Sequence, residues 1–473
     1  MDSALFYGGD VIVGAGTEQI GRNLLHPYES RTEGIMRQFG WVMDVAWVIA
    51  LMAYVIAGAG IVPFHGDEAT QVYMSRDYAY QFIERDLSRV VYSDPPVSAQ
   101  EQELRLLNGT VNKYLIGLMW HAAGFTIEDV NEQWDWGADW TYNQSTGHAP
   151  SPELLRVARI PSTVLLALGV IPIFGLGRLA GGSRVSAYAA SAIYALSPAL
   201  LAQGRRAMME GSFIAFNVLT VWAAAMWGRK SQFTPPYANG EGRKDFIWAV
   251  ALGVAAGLAI ASKHTALFAV GSVFVGAGLW VIVNRFGTPS PYKEVLVKLA
   301  QLVFAGGIAG AVFLAVNPAW WGDPLARVGE VLDLRTWLLE GQTAAFGGYE
   351  SLGDAAAGFF RQVFVGLPQY YEVPVWGEYI GDQIAAYESS IWRGVSIGGS
   401  VIGGSVFAAL VVMGFVRVMR RGGGMCWVIG AWVIGVVMTT VVFTPLEWQR
   451  YYLPVIPVVG VLAGAGVERL YRR

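Results

Sequence analysis

Charge is scarce in this chain. Of 473 residues only 15% are Asp, Glu, Lys or Arg, 54% are hydrophobic, and mean hydropathy is +0.41. A soluble domain carries about 25% charged residues, so a soluble enzyme is excluded. Cysteine is scarcer still. The single Cys426 lies in an apolar run, which rules out an intrachain disulfide and a multi-cysteine metal site. A net charge of −3 offers no basic surplus for nucleic acid. The sequence has no Walker loop and no Rossmann glycine fingerprint to cradle a nucleotide. It also shows no internal repeat of the kind that many transporters are built from. Residues 1–39 lack the basic-then-apolar layout of a cleavable signal peptide, so Gly40–Val62 is expected to stay as a signal anchor.

What the chain has instead is long apolar runs. About twenty apolar residues cross the ~30 Å hydrocarbon layer as a helix. On that measure the expected spans are Gly40–Val62, Arg159–Ala180, Arg184–Gln203, Gly211–Trp227, Phe246–Ala261, Thr265–Asn284, Val297–Val316, Gly394–Val416, Met425–Thr444 and Tyr451–Leu470. The fold class is therefore an all-α polytopic membrane protein of about ten transmembrane helices. A head (1–39) precedes a transmembrane domain (40–473), which has two long polar loops, 63–158 and 317–393. Basic residues concentrate in alternate short loops, among them Arg229 and Lys230, Lys293 and Lys298, and Arg417, Arg420 and Arg421. The positive-inside rule then puts both termini in the cytoplasm and both long loops outside, at the plasma membrane. Asn112–Gly124 is apolar but too short to span, and suits a helix lying in the interface.

This orientation gathers the polar candidates at the outer ends of spans. Asp67 and Glu68 follow the first span in His65-Gly66-Asp67-Glu68-Ala69. Ionisable groups at membrane depth are costly and tend to mark function, although acids in a first helical turn also favour the helix dipole. Asp67 is the better candidate for a base, and Glu68, about 100° around a helix, faces a metal, a substrate hydroxyl or Lys113. Arg205 and Arg206 suit a phosphate by their planar donors, and Arg206 and Glu210 also stand four apart, as a simple helical pair would. Lys263 and His264 form either a tight polar turn or a phosphate-binding pair. Arg450 and Tyr451, opening the last span, are either a phosphate site or an interfacial anchor.

These residues, in this order, resemble the GT-C class of membrane glycosyltransferases that use polyprenyl-phosphate sugars, in particular relatives of protein O-mannosyltransferase and of the lipid A aminoarabinose transferase. The resemblance is carried by Asp67-Glu68, Asn112-Lys-Tyr-Leu-Ile-Gly-Leu118, Arg159-Ile-Pro161, Arg205 to Glu210, Gly257 to His264 and Arg450-Tyr-Tyr-Leu-Pro454. Where relatives often have a His-Pro-Pro-Leu run, this chain has Asn108-Gly-Thr-Val111. The resemblance implies a GT-C-like bundle with interfacial helices in the first outer loop. It implies inverting transfer of a sugar from a lipid phosphate carrier to a hydroxyl of a protein, lipid or glycan acceptor. Asp67 would be the general base. Glu68 and Glu210 would orient a substrate or, with Asp67, hold a divalent metal ion. Lys263, Arg450 and Tyr451 would bind the carrier phosphate, assisted by Arg205 or Arg206, with His264 and Lys113 completing the cationic set. The expected partners are the lipid-linked donor, the acceptor and membrane lipid, with no nucleic acid. The rival reading is a transporter or flippase of a lipid-linked saccharide.

Overall fold

Where the polar residues interrupt the apolar runs decides where the helices begin and bend. The computed structural model describes residues 40–229, 241–287 and 292–471. The expected head, 1–39, lies outside them. Every regular element among the described residues is helical. The first span is α1 (Gly40–Ile61). The long polar loop 63–158 that follows, expected on the outer face and here called the first outer loop, carries α2 (Gly66–Met74), α3 (Ala99–Leu107) and α4 (Thr110–Ala122). Next come α5 (Pro152–Leu168) and α6 (Val170–Gly181), which run together as one span of 30 residues. This span starts seven residues before the apolar run does, because Ser151 caps the Leu154 N–H and Pro152 supplies a first-turn residue that needs no donor.

Helices α7 (Arg184–Leu196) and α8 (Pro198–Gly204) were expected to form one span and instead meet at 52°. Pro198 cannot donate to a continuing helix, and Ser197 caps a new start. Helices α9 (Glu210–Arg229), α10 (Glu241–Ser262), α11 (Ala266–Gly287) and α12 (Tyr292–Val316) follow. The long polar loop 317–393, likewise expected on the outer face and called the second outer loop, holds α13 (Pro324–Phe346) and α14 (Trp376–Ser389). The chain closes with α15 (Val401–Arg421), α16 (Gly424–Phe443) and α17 (Val455–Tyr471). Eight helices among the described residues are long and apolar enough to cross a membrane, nine with the bent pair. The count of about ten falls short because α17 has 17 residues: a tight turn over Gln449–Tyr451 and Pro454 delays its start.

Helix α9 packs on α5, α10 and α16, and α17 lies between α7 and α15. Helix α4 is not left on a surface. Ile116 and Trp120 are fully buried, and the helix packs on α5 and α10. The Asn108-Gly-Thr-Val111 segment makes that joint. A Cβ on Gly109 would lie 1.9 Å from the Ser262 carbonyl oxygen, so only glycine lets this turn sit on the end of α10. Thr110 donates to the Asn317 side chain beside it.

A buried charge cluster stiffens the first outer loop. Asp77 accepts from Arg105 Nη2 at 2.7 Å and from Lys113 Nζ at 2.5 Å, and Arg105 also reaches Glu101 at 2.8 Å. Burial alone would raise the Asp77 carboxyl, but Lys113 and Arg105 outweigh it and hold its pKa below the usual range. Lys113 is therefore spent inside the loop, which corrects its expected place among the substrate cations. Replacing Asp77 by Ala strands two buried cations. The expected result is a loss of about 3–5 kcal/mol, read as a lower melting temperature of the detergent-solubilised chain. An unchanged melting temperature would contradict the cluster's structural role.

Candidate active site

Helix α2 sets the two acids of the His65–Ala69 stretch at different angles, and the surroundings give them different work. His65 is the N-cap of α2. Its Nδ1 accepts from the Asp67 N–H at 3.1 Å, while the Glu68 carboxylate takes the His65 N–H at 3.1 Å in a reciprocal capping box. Glu68 turns inward and is fully buried. Its Oε1 receives Arg159 Nε at 2.7 Å and the Ala207 N–H at 2.8 Å, and its Oε2 receives Arg159 Nη2 at 2.8 Å. No capacity remains for a substrate or a metal. The expectation that Glu68 orients substrate is corrected: it is the anchor that fixes α2 to α5 and to the segment before α9.

Asp67 turns outward, with 26% of its side chain exposed, and pairs with Arg450 Nη1. It stands in the first turn of α2, where the helix dipole favours an anion. Arg450 lies between Asp67 and Glu372, whose Oε1 is 3.7 Å from Arg450 Nε. Because His65 Nδ1 accepts, its Nε2 carries the proton and donates to Glu372 Oε2 at 2.6 Å. Burial opposes ionisation of Glu372, yet His65 and Arg450 hold its carboxyl far below the usual range. Glu372 and the role of His65 went unread in the sequence. The sequence carries no spacing that links residue 372, within a long polar loop, to α2.

A second acid–cation pair stands beside the first. Glu210 opens α9, and its Oε1 accepts from Lys263 Nζ at 3.0 Å. Its Oε2 is buried with no hydrogen-bond partner, and Arg450 Nε, though near Glu372, is buried with none either. Glu210 is near enough to raise the pKa of Arg450, after the larger opposing effect of burial and the pull of Asp67, Glu372 and Tyr451. Tyr451 stacks on Trp448 and turns its hydroxyl to Gln342. A third cation was missed: Arg335 of α13 makes no hydrogen bond or ion pair among the described residues. Burial, and after it the charge of Arg450, lower its pKa, with Tyr451 opposing. Unsatisfied donors and acceptors thus converge where Asp67, Glu210, Lys263, Arg335 and Arg450 meet.

Besides Lys113, three expected cations are not in this set. His264 packs edge-on against Phe313 and Trp320, and burial, with Arg335 and Lys113 nearby, pushes its pKa down to about 4, so it is neutral at physiological pH. Arg205 is fully buried and gives its donors to the carbonyls of Tyr54, Val55 and Trp392 and to the Tyr387 hydroxyl. Arg206, equally buried, donates to Pro63 and Tyr370 carbonyls and to Gln203 Oε1. Both arginines tie the segment before α9 to the first span and the second outer loop; every guanidinium nitrogen of each is already bonded inside the protein and both are fully buried, away from a carrier phosphate. The expected metal set of Asp67, Glu68 and Glu210 does not fit either. Glu68 is saturated, and among the described residues no three acidic, histidine or cysteine side chains are grouped to hold an ion.

Comparison with known structures bears on the fold. The archaeal oligosaccharyltransferase from Archaeoglobus fulgidus in its apo form superposes with a TM-score of 0.53 at 10% identity, covering 91% of this chain and 50% of that one. The fold is that of the GT-C membrane glycosyltransferases. The archaeal oligosaccharyltransferase AglB from Archaeoglobus fulgidus, in complex with an inhibitory peptide and a dolichol-phosphate, gives 0.51 at 11% identity over 90% and 50%. ArnT from Cupriavidus metallidurans bound to undecaprenyl phosphate gives 0.45 at 16% over 91% and 60%. The Pmt1-Pmt2 complex of S. cerevisiae with its sugar donor gives 0.40 at 17% over 58% and 33%. The chain spans between a third and three fifths of the length of these structures. Residues 108–321 match the family model of dolichyl-phosphate-mannose-protein mannosyltransferases, a stretch that includes Glu210 and Lys263 but stops short of Asp67 and Arg450. No curated protein matches the chain.

The different settings of the two acids make a prediction. Glu68→Gln removes half of a buried bidentate pair and is expected to cost about 3 kcal/mol or more. Asp67→Asn, at the partly exposed rim, is expected to leave the melting temperature nearly unchanged. Equal losses in the two variants, measured by thermal unfolding in detergent, would contradict these assignments.

Proposed function

We propose that this chain is an inverting glycosyltransferase. It moves a sugar from a polyprenyl-phosphate carrier to an acceptor hydroxyl on the non-cytoplasmic face, with Asp67 as general base. The observation that carries the reading is the accessible Asp67 carboxylate set against Arg450, with Glu210–Lys263 and the unpaired Arg335 alongside. Acid and cation stand together at the end of the spans, and buried polar atoms there still lack partners. The matched family model and the lipid phosphates bound by AglB and ArnT agree with that chemistry.

In this mechanism the acceptor oxygen attacks the anomeric carbon from the side opposite the phosphate. Asp67 takes the hydroxyl proton as the new C–O bond forms. The bond to the carrier breaks, and its electron pair leaves on the lipid phosphate. Arg450, Lys263 and Arg335 face the charge that grows there, and in a site poor in water such fixed cations act strongly. Arg450 has two tasks. Without donor it neutralises Asp67. With a phosphate in place its donors are shared with the new anion, and the Asp67 carboxylate is freed to accept a proton. Glu372 and His65 hold Arg450 in that position. Glu210 keeps Lys263 aimed and leaves Oε2 for a sugar or acceptor hydroxyl. The basic loops at the other ends of the spans support an outer site with both termini inside.

Asp67→Asn should lower the rate of transfer from a polyprenyl-phosphate sugar by roughly 10²–10⁴-fold while leaving donor affinity intact. Unchanged turnover would reject the base assignment, and donor carried across the bilayer without transfer would favour a flippase. Arg335→Gln should raise KM for the donor about tenfold, the scale of one lost charge-assisted hydrogen bond, with a smaller change in melting temperature. An unaltered KM would remove Arg335 from the phosphate set.

A further inference from the structure

A second cluster of positive charge lies at the far end of the bundle, with no part in the chemistry above. A cavity of about 430 Å³ is lined by Gly181, Gly182, Arg417, Arg420, Arg421 and Arg469. These residues come from the end of α6, the end of α15 and the last turns of α17. Arg450 precedes α17 and Arg469 nearly ends it, so a helix of 17 residues separates the cavity from the candidate active site. That is about 25 Å at 1.5 Å per residue, close to the thickness of the hydrocarbon layer.

The cavity is built rather than left over. Helix α6 stops at Gly182, whose φ of +83° is open to glycine. Arg421 Nη1 donates to the Ala180 carbonyl at 3.2 Å and Arg417 Nη2 to the Gly181 carbonyl at 3.3 Å, which pins two guanidinium groups at the end of α6. A Cβ on Gly182 would come within 2.5 Å of Arg421 Nη1, so the glycine also keeps the space clear. Arg417 Nε is buried with no partner. Arg420 and Arg469 make no hydrogen bond or ion pair among the described residues. Among the described residues no acid lines the space; Glu468, next to Arg469 in the chain, is buried and accepts from the Ser183 hydroxyl. A preference for basic residues on one membrane face explains how many arginines there are. It does not explain why four from two helices meet in one cavity, where their mutual repulsion needs an anion to offset it.

We propose that this cavity binds a phosphate group, and that in the membrane the phosphate belongs to the headgroup of an anionic lipid in the leaflet opposite the candidate active site. Guanidinium groups present planar pairs of donors that match phosphate oxygens. Basic pockets between membrane helices are suited to such headgroups. A soluble phosphate compound offers the same chemistry, and the test separates the two sources.

The full chain, purified in mild detergent, is compared with Arg420→Gln/Arg469→Gln and with a charge-matched control at two exposed positions, Arg85→Gln/Arg156→Gln. Native mass spectrometry reads retention of phosphatidylglycerol against phosphatidylcholine, and thermal unfolding reads stabilisation by inorganic pyrophosphate. The expected result is retention of phosphatidylglycerol over phosphatidylcholine, weakened about tenfold in the cavity variant and unchanged in the control. Stabilisation by pyrophosphate that depends on Arg420 and Arg469, without lipid retention, would keep the phosphate site and make a soluble compound its occupant. Equal behaviour of the two variants toward both probes would overturn the proposal. Neither substituted arginine bonds to the fold, so the variants should melt alike; if the double variant fails to fold, Arg469→Gln alone is read in the same way.

Discussion

Glu68 receives four hydrogen bonds, and the aim of the candidate site hangs on that one buried carboxylate. Two come from Arg159 on α5, one from the Ala207 amide ahead of α9 and one from the His65 amide in its own turn. Taking both ions of a pair out of water costs several kcal/mol each, and the cost is offset only when geometry is good and every lone pair is satisfied. Here it is. The result is a rigid corner where α2 must start at one place and in one rotation. Asp67, one residue earlier, is then turned about 100° away, toward Arg450. The acid that does no chemistry decides where the proposed catalytic acid points.

The same division recurs among the cations. Arg205 and Arg206 lie deepest and are spent on backbone carbonyls, which draws the first span, the second outer loop and the segment before α9 together. Lys113 and Arg105 neutralise Asp77 inside the first outer loop. Near Asp67, Arg450 and Lys263 keep part of their side chains exposed, and Arg335 makes no hydrogen bond or ion pair among the described residues. A membrane protein with 15% charged residues uses many of them to hold loops over the bundle, and few remain for substrate.

Much of this was legible in the sequence. Asp67, Glu210, Lys263 and Arg450 stood out because each is a charge at the end of an apolar run, and contrast of that kind survives without coordinates. The roles of Asp67 and Glu68 could be told apart in principle from their helical angle, but which one faces inward depends on Arg159, 91 residues away. Arg205 and Arg206 were misread because carbonyl partners leave no mark in a sequence. Glu372 and Arg335 were missed because they sit in a long polar loop where a charged residue is unremarkable. Where the spans bend and begin was not legible, because the length of an apolar run does not report a bend such as that at Pro198, or the turn that shortens α17.

The central claim is that the carrier phosphate rests on the outer cations with Asp67 on the other side of the anomeric carbon. A structure of the Asp67→Asn variant bound to a polyprenyl-phosphate sugar tests it most directly. The account predicts phosphate oxygens within hydrogen-bond distance of Arg450 and Lys263, and the residue-67 side chain on the anomeric face opposite phosphorus. A phosphate seated elsewhere, or residue 67 on the same side as the leaving group, would contradict it.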